Sequence, residues 1–184
     1  MARDVAPEAN ITRAKFAAFL VRILDVPQSN TALNFTDVKA GDWYYVPLVA
    51  AYQAGLVKGV TADKIAPNEN ITREQMAVML VRAMEEKGKT IPSSLELTFS
   101  DKGMVSPWAV AGVSQSAQLS LIGGYPNGTF QPTANATRAQ AIIMLHRRRE
   151  LIQETKQGSR VSIDGRTPIF PPYTLKAHHY LKDH

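Results

Sequence analysis

The sequence predicts a mainly α-helical fold assembled from repeated units, and three observations predict it. A short pattern recurs three times: Ile-Thr-Arg-Ala-Lys-Phe at 11–16, Ile-Thr-Arg-Glu-Gln-Met at 71–76 and Ala-Thr-Arg-Ala-Gln-Ala at 136–141. A shift of 65 residues places Trp43 on Trp108, Gly59 on Gly124, Pro67 on Pro132 and Thr72-Arg73 on Thr137-Arg138. After each Thr-Arg pair, apolar residues return at the spacing of a helix face rather than a strand.

A full unit has four parts. It opens with an extended Phe-x-Asp segment, Phe35-Thr36-Asp37 or Phe99-Ser100-Asp101; these match at an offset of 64, so the later copy carries one extra residue before its Trp. A short helix then starts near the Trp, with Val46, Val49, Ala50 and Ala54 on its apolar side and Ala109, Val113, Ala117 and Leu119 as rough counterparts. Gly55 stands where a helix C-cap belongs. Turn chemistry follows, clearest in Gly124-Tyr125-Pro126-Asn127-Gly128-Thr129-Phe130-Gln131-Pro132.

The fourth part is the capped helix. Thr72 with Gln75 and Thr137 with Gln140 form Thr-x-x-Gln capping boxes, Ile71 and Met76 take staple positions, and Lys15 breaks the box of the first copy. Phe16, Phe19, Leu20, Ile23 and Leu24 make one buried stripe, and Met76, Met79, Leu80, Ala83 and Met84 make another. Helices are therefore expected near 13–25, 44–54, 73–87, 107–119 and 138–150, with the three capped helices packed together.

A shift of 60 lays Val5–Arg13 over Ile65–Arg73, so the first copy holds only the second half of a unit. The chain divides into residues 1–34, a truncated unit; 35–98, a unit with its linker; 99–149, a further unit; and 150–184, a tail or connector. In the tail, Val161-Ser162-Ile163 reads as a short strand and Thr167–Pro172 as a Pro-stiffened connector; residues 155–184 are expected to be less ordered than the repeats.

Composition narrows the function. At 184 residues and 45% apolar content the chain can bury a core. Neither a membrane-length apolar run nor a signal peptide is visible. The absence of Cys excludes disulfides, thiolate metal sites and cysteine nucleophiles. The net charge of +5 is concentrated late: residues 1–146 carry 13 Lys+Arg and 12 Asp+Glu, whereas 147–184 carry 8 and 4. The repeats thus lack the basic stripe of a nucleic-acid reader. His146, His178, His179 and His184 are scattered, so no metal or other cofactor is expected. Gly123–Gly128 lacks the Lys-Ser/Thr ending of a phosphate loop, and no acid–base pair stands out, so no enzyme activity is expected.

The order Phe-x-Asp, Trp, Gly-Tyr-Pro-x-Gly-Thr-Phe-x-Pro, Ile-Thr-Arg-Ala resembles the S-layer homology repeat of bacterial surface proteins, over about residues 4–149. The resemblance implies a pseudo-threefold arrangement around a central three-helix bundle, with loops lining three grooves. It also implies a non-enzymatic, extracellular module within a longer protein, without membrane insertion, anchored to anionic and pyruvylated secondary cell-wall polysaccharide. Carried onto this sequence, Arg13, Arg73 and Arg138 are the expected carboxylate ligands. Trp43 and Trp108 would wall the grooves, Gly59 and Gly124 would admit the sugar to the backbone, and Asp37 and Asp101 would fix the opening loop. The half-unit at the start, and Val60 where Tyr125 stands in the next copy, imply unequal grooves.

Chemistry supports this role for the Arg residues, because a helix N-terminus attracts anions and a guanidinium adds a fork shaped for a carboxylate. Plainer readings stand beside it. The Arg side chains also fit solvated cations or partners of Asp37 and Asp101; the Trp residues fit core or semi-core packing first and sugar stacking second; the Asp residues fit loop organisers. The alternative function is a helical protein- or nucleic-acid-binding array that uses the basic stretch from Arg147 to Arg166.

Overall fold

The computed structural model describes residues 6–29, 31–93 and 96–144. Expectations for Val161–Ile163, Thr167–Pro172 and the basic stretch lie outside these residues. Helices α1 (Arg13–Ile23), α2 (Tyr45–Gln53), α3 (Arg73–Glu86) and α4 (Val110–Gln118) follow in order, and residues 138–144 form the described part of α5. One 3-10 turn, Lys102–Met104, takes up the extra residue between Asp101 and Trp108. Among the described residues β-pairing is limited to isolated bridges.

The caps form as their chemistry dictates. Thr72 Oγ1 accepts from the Gln75 N–H while Gln75 Oε1 accepts from the Thr72 N–H, and Thr137 with Gln140 repeats the exchange. At α1, Thr12 accepts from the Lys15 N–H alone, since Lys offers no acceptor in return. Gly55 ends α2 at a φ of 71°, and Ser120 takes the same left-handed position after α4 at 56°.

The repeats are joined at the starts of their long helices. Ile11 N–H donates to Ala136 O, Ala136 N–H to Ile71 O, and Ile71 N–H to Ile11 O, so three segments far apart in sequence close a ring of backbone hydrogen bonds. Around this ring Phe16, Leu20, Met76, Leu80, Phe130 and Met144 join one core. The tight helix pairs are α1 with α2 and α3 with α4, the long helix of one unit against the short helix of the next.

Two parts of the expected stripes are different. On α1, Phe16, Leu20 and Leu24 are buried but Phe19 and Ile23 are exposed, whereas their α3 counterparts Met79 and Ala83 are covered. The α2 core face is Leu48–Ala51, and Val46 points outward. On α4 the buried face carries Gly112, Ser114 and Ser116 beside Val113, because this helix meets α3 very closely. A Cβ on Gly112 would lie 2.6 Å from Val78 Cγ2 and 3.1 Å from its Cα. Ser116 Oγ donates 2.7 Å to Ala77 O, so the polar atom is satisfied inside the contact.

Candidate functional site

The Thr-Arg pairs occupy the joints between repeats. At α1 the Arg13 and Ala14 N–H groups, which no helical carbonyl can reach, donate 2.9 Å to Glu69 O and Pro67 O of the next unit. At α3 the Arg73 and Glu74 N–H groups bond Ala134 O and Pro132 O, and at α5 those of Arg138 and Ala139 bond Ala9 O and Pro7 O. The positive helix ends are therefore filled by peptide carbonyls.

The guanidinium groups repeat this reach. Arg13 Nε donates 3.0 Å to Ile65 O and its Nη2 3.1 Å to Lys58 O; Arg73 Nε donates 2.7 Å to Phe130 O and its Nη2 3.0 Å to Gly123 O. Both residues are nearly covered, at 6% and 3% exposure. Arg73 also lies 4.7 Å from the Tyr125 ring centre and 4.8 Å from that of Phe130. Burial lowers the pKa of each; Glu69 and Asp37 oppose this at Arg13, where Arg82 adds to it, and Tyr125 and Asp101 oppose it at Arg73. The side-chain partners are thus turn carbonyls of the following unit, not Asp37 or Asp101. Arg138 is half-buried; the counterpart of Ile65 on its side is Val5, outside the described residues.

Asp37 and Asp101 organise those same turns. Asp37 accepts from the Ile65 and Ala66 N–H groups, and Asp101 from those of Phe130 and Gln131 at 2.8 and 2.7 Å. Ala66 and Gln131 are held at positive φ, 54° and 57°, so each carboxylate anchors a backbone that an L-residue rarely adopts. At Asp101 burial, the largest influence, raises the pKa. The N–H donors of Phe130, Gln131 and Asp101 itself, with Arg73 nearby, outweigh it and set the net value below the ordinary one. Gly59 and Gly124 are required by closure of the turns. A Cβ at Gly59 would sit 2.4 Å from Thr61 O, and one at Gly124 would sit 2.9 Å from Thr129 O.

Trp43 and Trp108 depart from the packing reading, at 61% and 58% exposure. Each indole precedes its short helix rather than lying under it, so the ring stays at the surface.

One cavity of about 400 Å³ brings several of these parts together. Arg13, the turn Val57–Val60, the α3 residues Gln75, Val78, Met79 and Arg82, and Trp108 line it. Arg13, Gly59 and Trp108 of the expected set meet there, while Arg73, Arg138, Trp43, Gly124, Asp37 and Asp101 do not line it. Sequence reasoning missed Arg82 and read Gln75 only as a cap residue. A signal for Arg82 exists, because Arg22, Arg82 and Arg147 each fall nine residues after the Arg of a Thr-Arg pair. Among the described residues no group of His, Asp and Glu could hold a metal ion, and no helix is long and apolar enough to cross a membrane.

The fold is a helical repeat array closed by its own backbone, with exposed indoles and with Arg13, Arg82 and Trp108 around one cavity. The family model for the S-layer homology domain matches residues 34–77 and 98–142, and the chain belongs to that family. It is 38% identical over 141 residues to the amylopullulanase of Thermoanaerobacterium thermosulfurigenes, covering 76% of this chain and 8% of that protein. It is 31% identical over 165 residues to the surface-layer 125 kDa protein of Lysinibacillus sphaericus, covering 88% and 14%. It is 27% identical over 145 residues to the cellulosome-anchoring protein of Acetivibrio thermocellus, covering 77% and 32%. The chain thus spans a third or less of the length of these relatives. S-layer homology domains anchor proteins to the cell surface and carry no catalytic centre of their own.

Proposed function

We propose that this chain is a non-catalytic anchoring module that holds a longer surface protein on the bacterial cell wall by binding anionic, pyruvylated secondary wall polysaccharide. The observation that supports the reading is the cavity at Arg13, Gly59 and Trp108, where cations face an open space beside an exposed indole. An indole face suits the apolar side of a sugar ring, and guanidinium suits its carboxylate. Arg13 keeps its Nη1 edge without an acceptor among the described residues, so it can add charge to the groove while bonding the turn. Arg73 and Arg138 hold the corresponding positions of the other two joints.

Cosedimentation with purified sacculi tests this. The chain should pellet with sacculi and stay in solution once the wall polysaccharide has been extracted from them. Equal binding to extracted sacculi would refute the reading.

A further inference from the structure

We infer that Arg82 is the side chain that receives the ligand's carboxylate, an assignment that rests on the wall-polysaccharide reading and places the anion contact on the body of α3 rather than at the Thr-Arg pairs. The first-turn positions have little left to offer. Their backbone N–H groups are bonded to carbonyls, and Arg13 and Arg73 have each committed Nε and Nη2 to the turn they hold.

Arg82 is placed differently. It shares one face of α3 with Gln75, Val78 and Met79, at the three- and four-residue spacings that align side chains along a helix, and that face forms one wall of the cavity. Among the described residues it has no hydrogen-bond acceptor and no ion-pair partner. It is half-buried, and burial lowers its pKa with only Glu85 opposing. Arg82 is near enough to Arg13 to help lower the pKa of Arg13. A partly desolvated guanidinium with no bonded acceptor is an unfavourable arrangement until an anion joins it. With Trp108 also lining the space, the cavity pairs a surface for a sugar ring with a fork for its carboxylate.

Among the described residues this groove is also the complete one. The corresponding position on α1, Arg22, is exposed, and Arg147 lies outside the described residues. Among the described residues one groove unites a latched Arg, the glycine turn, a long-helix Arg and a Trp.

The test is calorimetric titration with polysaccharide fragments released from sacculi, native or with their carboxyl groups reduced to alcohols. Arg82→Gln should bind native fragments about 10- to 150-fold more weakly than the unaltered chain, the loss expected for one hydrogen bond to a charged group. Arg82→Lys should fall between, having charge without the planar fork. All three proteins should bind the reduced fragments with the same low affinity. If Arg82→Gln binds native fragments as well as the unaltered chain does, or loses native and reduced fragments by the same factor, the assignment is overturned while anchoring stands. If the unaltered chain does not bind native fragments, the anchoring reading fails and the assignment with it.

Discussion

Replacing Arg73 by Ala separates a latch from a ligand contact. In the structure this side chain spans two turn carbonyls, Phe130 O at 2.7 Å and Gly123 O at 3.0 Å, and lies over the Tyr125 and Phe130 rings. Its removal strands two acceptors, at about 1–3 kcal/mol each when buried, and a cation–π contact worth about 0.5–2 kcal/mol. Relief from desolvating a buried cation offsets part of this loss. A net destabilisation of about 3 kcal/mol follows, or about 6–12 °C in Tm for a domain of this size. Arg73→Lys should lie between, because one ammonium cannot serve both carbonyls in the geometry of a fork. Urea denaturation followed by circular dichroism measures the effect. An Arg73→Ala protein within about 0.5 kcal/mol of the unaltered chain would refute the latch, and a simultaneous loss of wall binding would return this Arg to the ligand.

Asp101→Asn should lower stability at neutral pH and flatten its acid dependence. The depressed folded-state pKa means that the carboxylate stabilises the fold above the unfolded value of about 3.9 and loses that effect as pH falls through the folded value. Melts across the acid range check this. Gly59→Ala should destabilise the chain by about 1–3 kcal/mol, because its Cβ meets the backbone oxygens of Thr61 at 2.4 Å and Lys64 at 3.0 Å; a denaturant midpoint unchanged from that of the unaltered chain would count against it. Trp108→Ala should reduce cosedimentation with sacculi while leaving Tm nearly unchanged, since the ring is 58% exposed. Trp43→Ala should have the smaller effect on sacculus binding, because Trp43 does not line the cavity.

Local chemistry made much of the architecture legible. Thr72-x-x-Gln75 states its own hydrogen bonds, Lys15 states where they fail, and Gly55 marks a helix end, because each depends on residues within a few positions of one another. The four helices with defined ends begin and end within three residues of where periodicity put them. The offsets of 60 and 65 likewise exposed the repeat, and with it the family. Long-range packing was harder to read. The buried face of α4 mixes Gly112, Ser114 and Ser116 with Val113, and residue type does not announce that Gly112 lies against Val78 of α3.

The sequence by itself determined that an Arg would stand at the first turn of three capped helices, but its partners were decided by tertiary structure. Carbonyls of residues 58, 65, 123 and 130 converge on Arg13 and Arg73 only after the repeats close, and backbone acceptors carry no residue signature. The same closure left Arg82 facing a cavity with Trp108, two residues 26 positions apart in the chain. Which arginine serves the fold and which faces a ligand depends on where the acceptors lie in space, and residue spacing alone does not encode that.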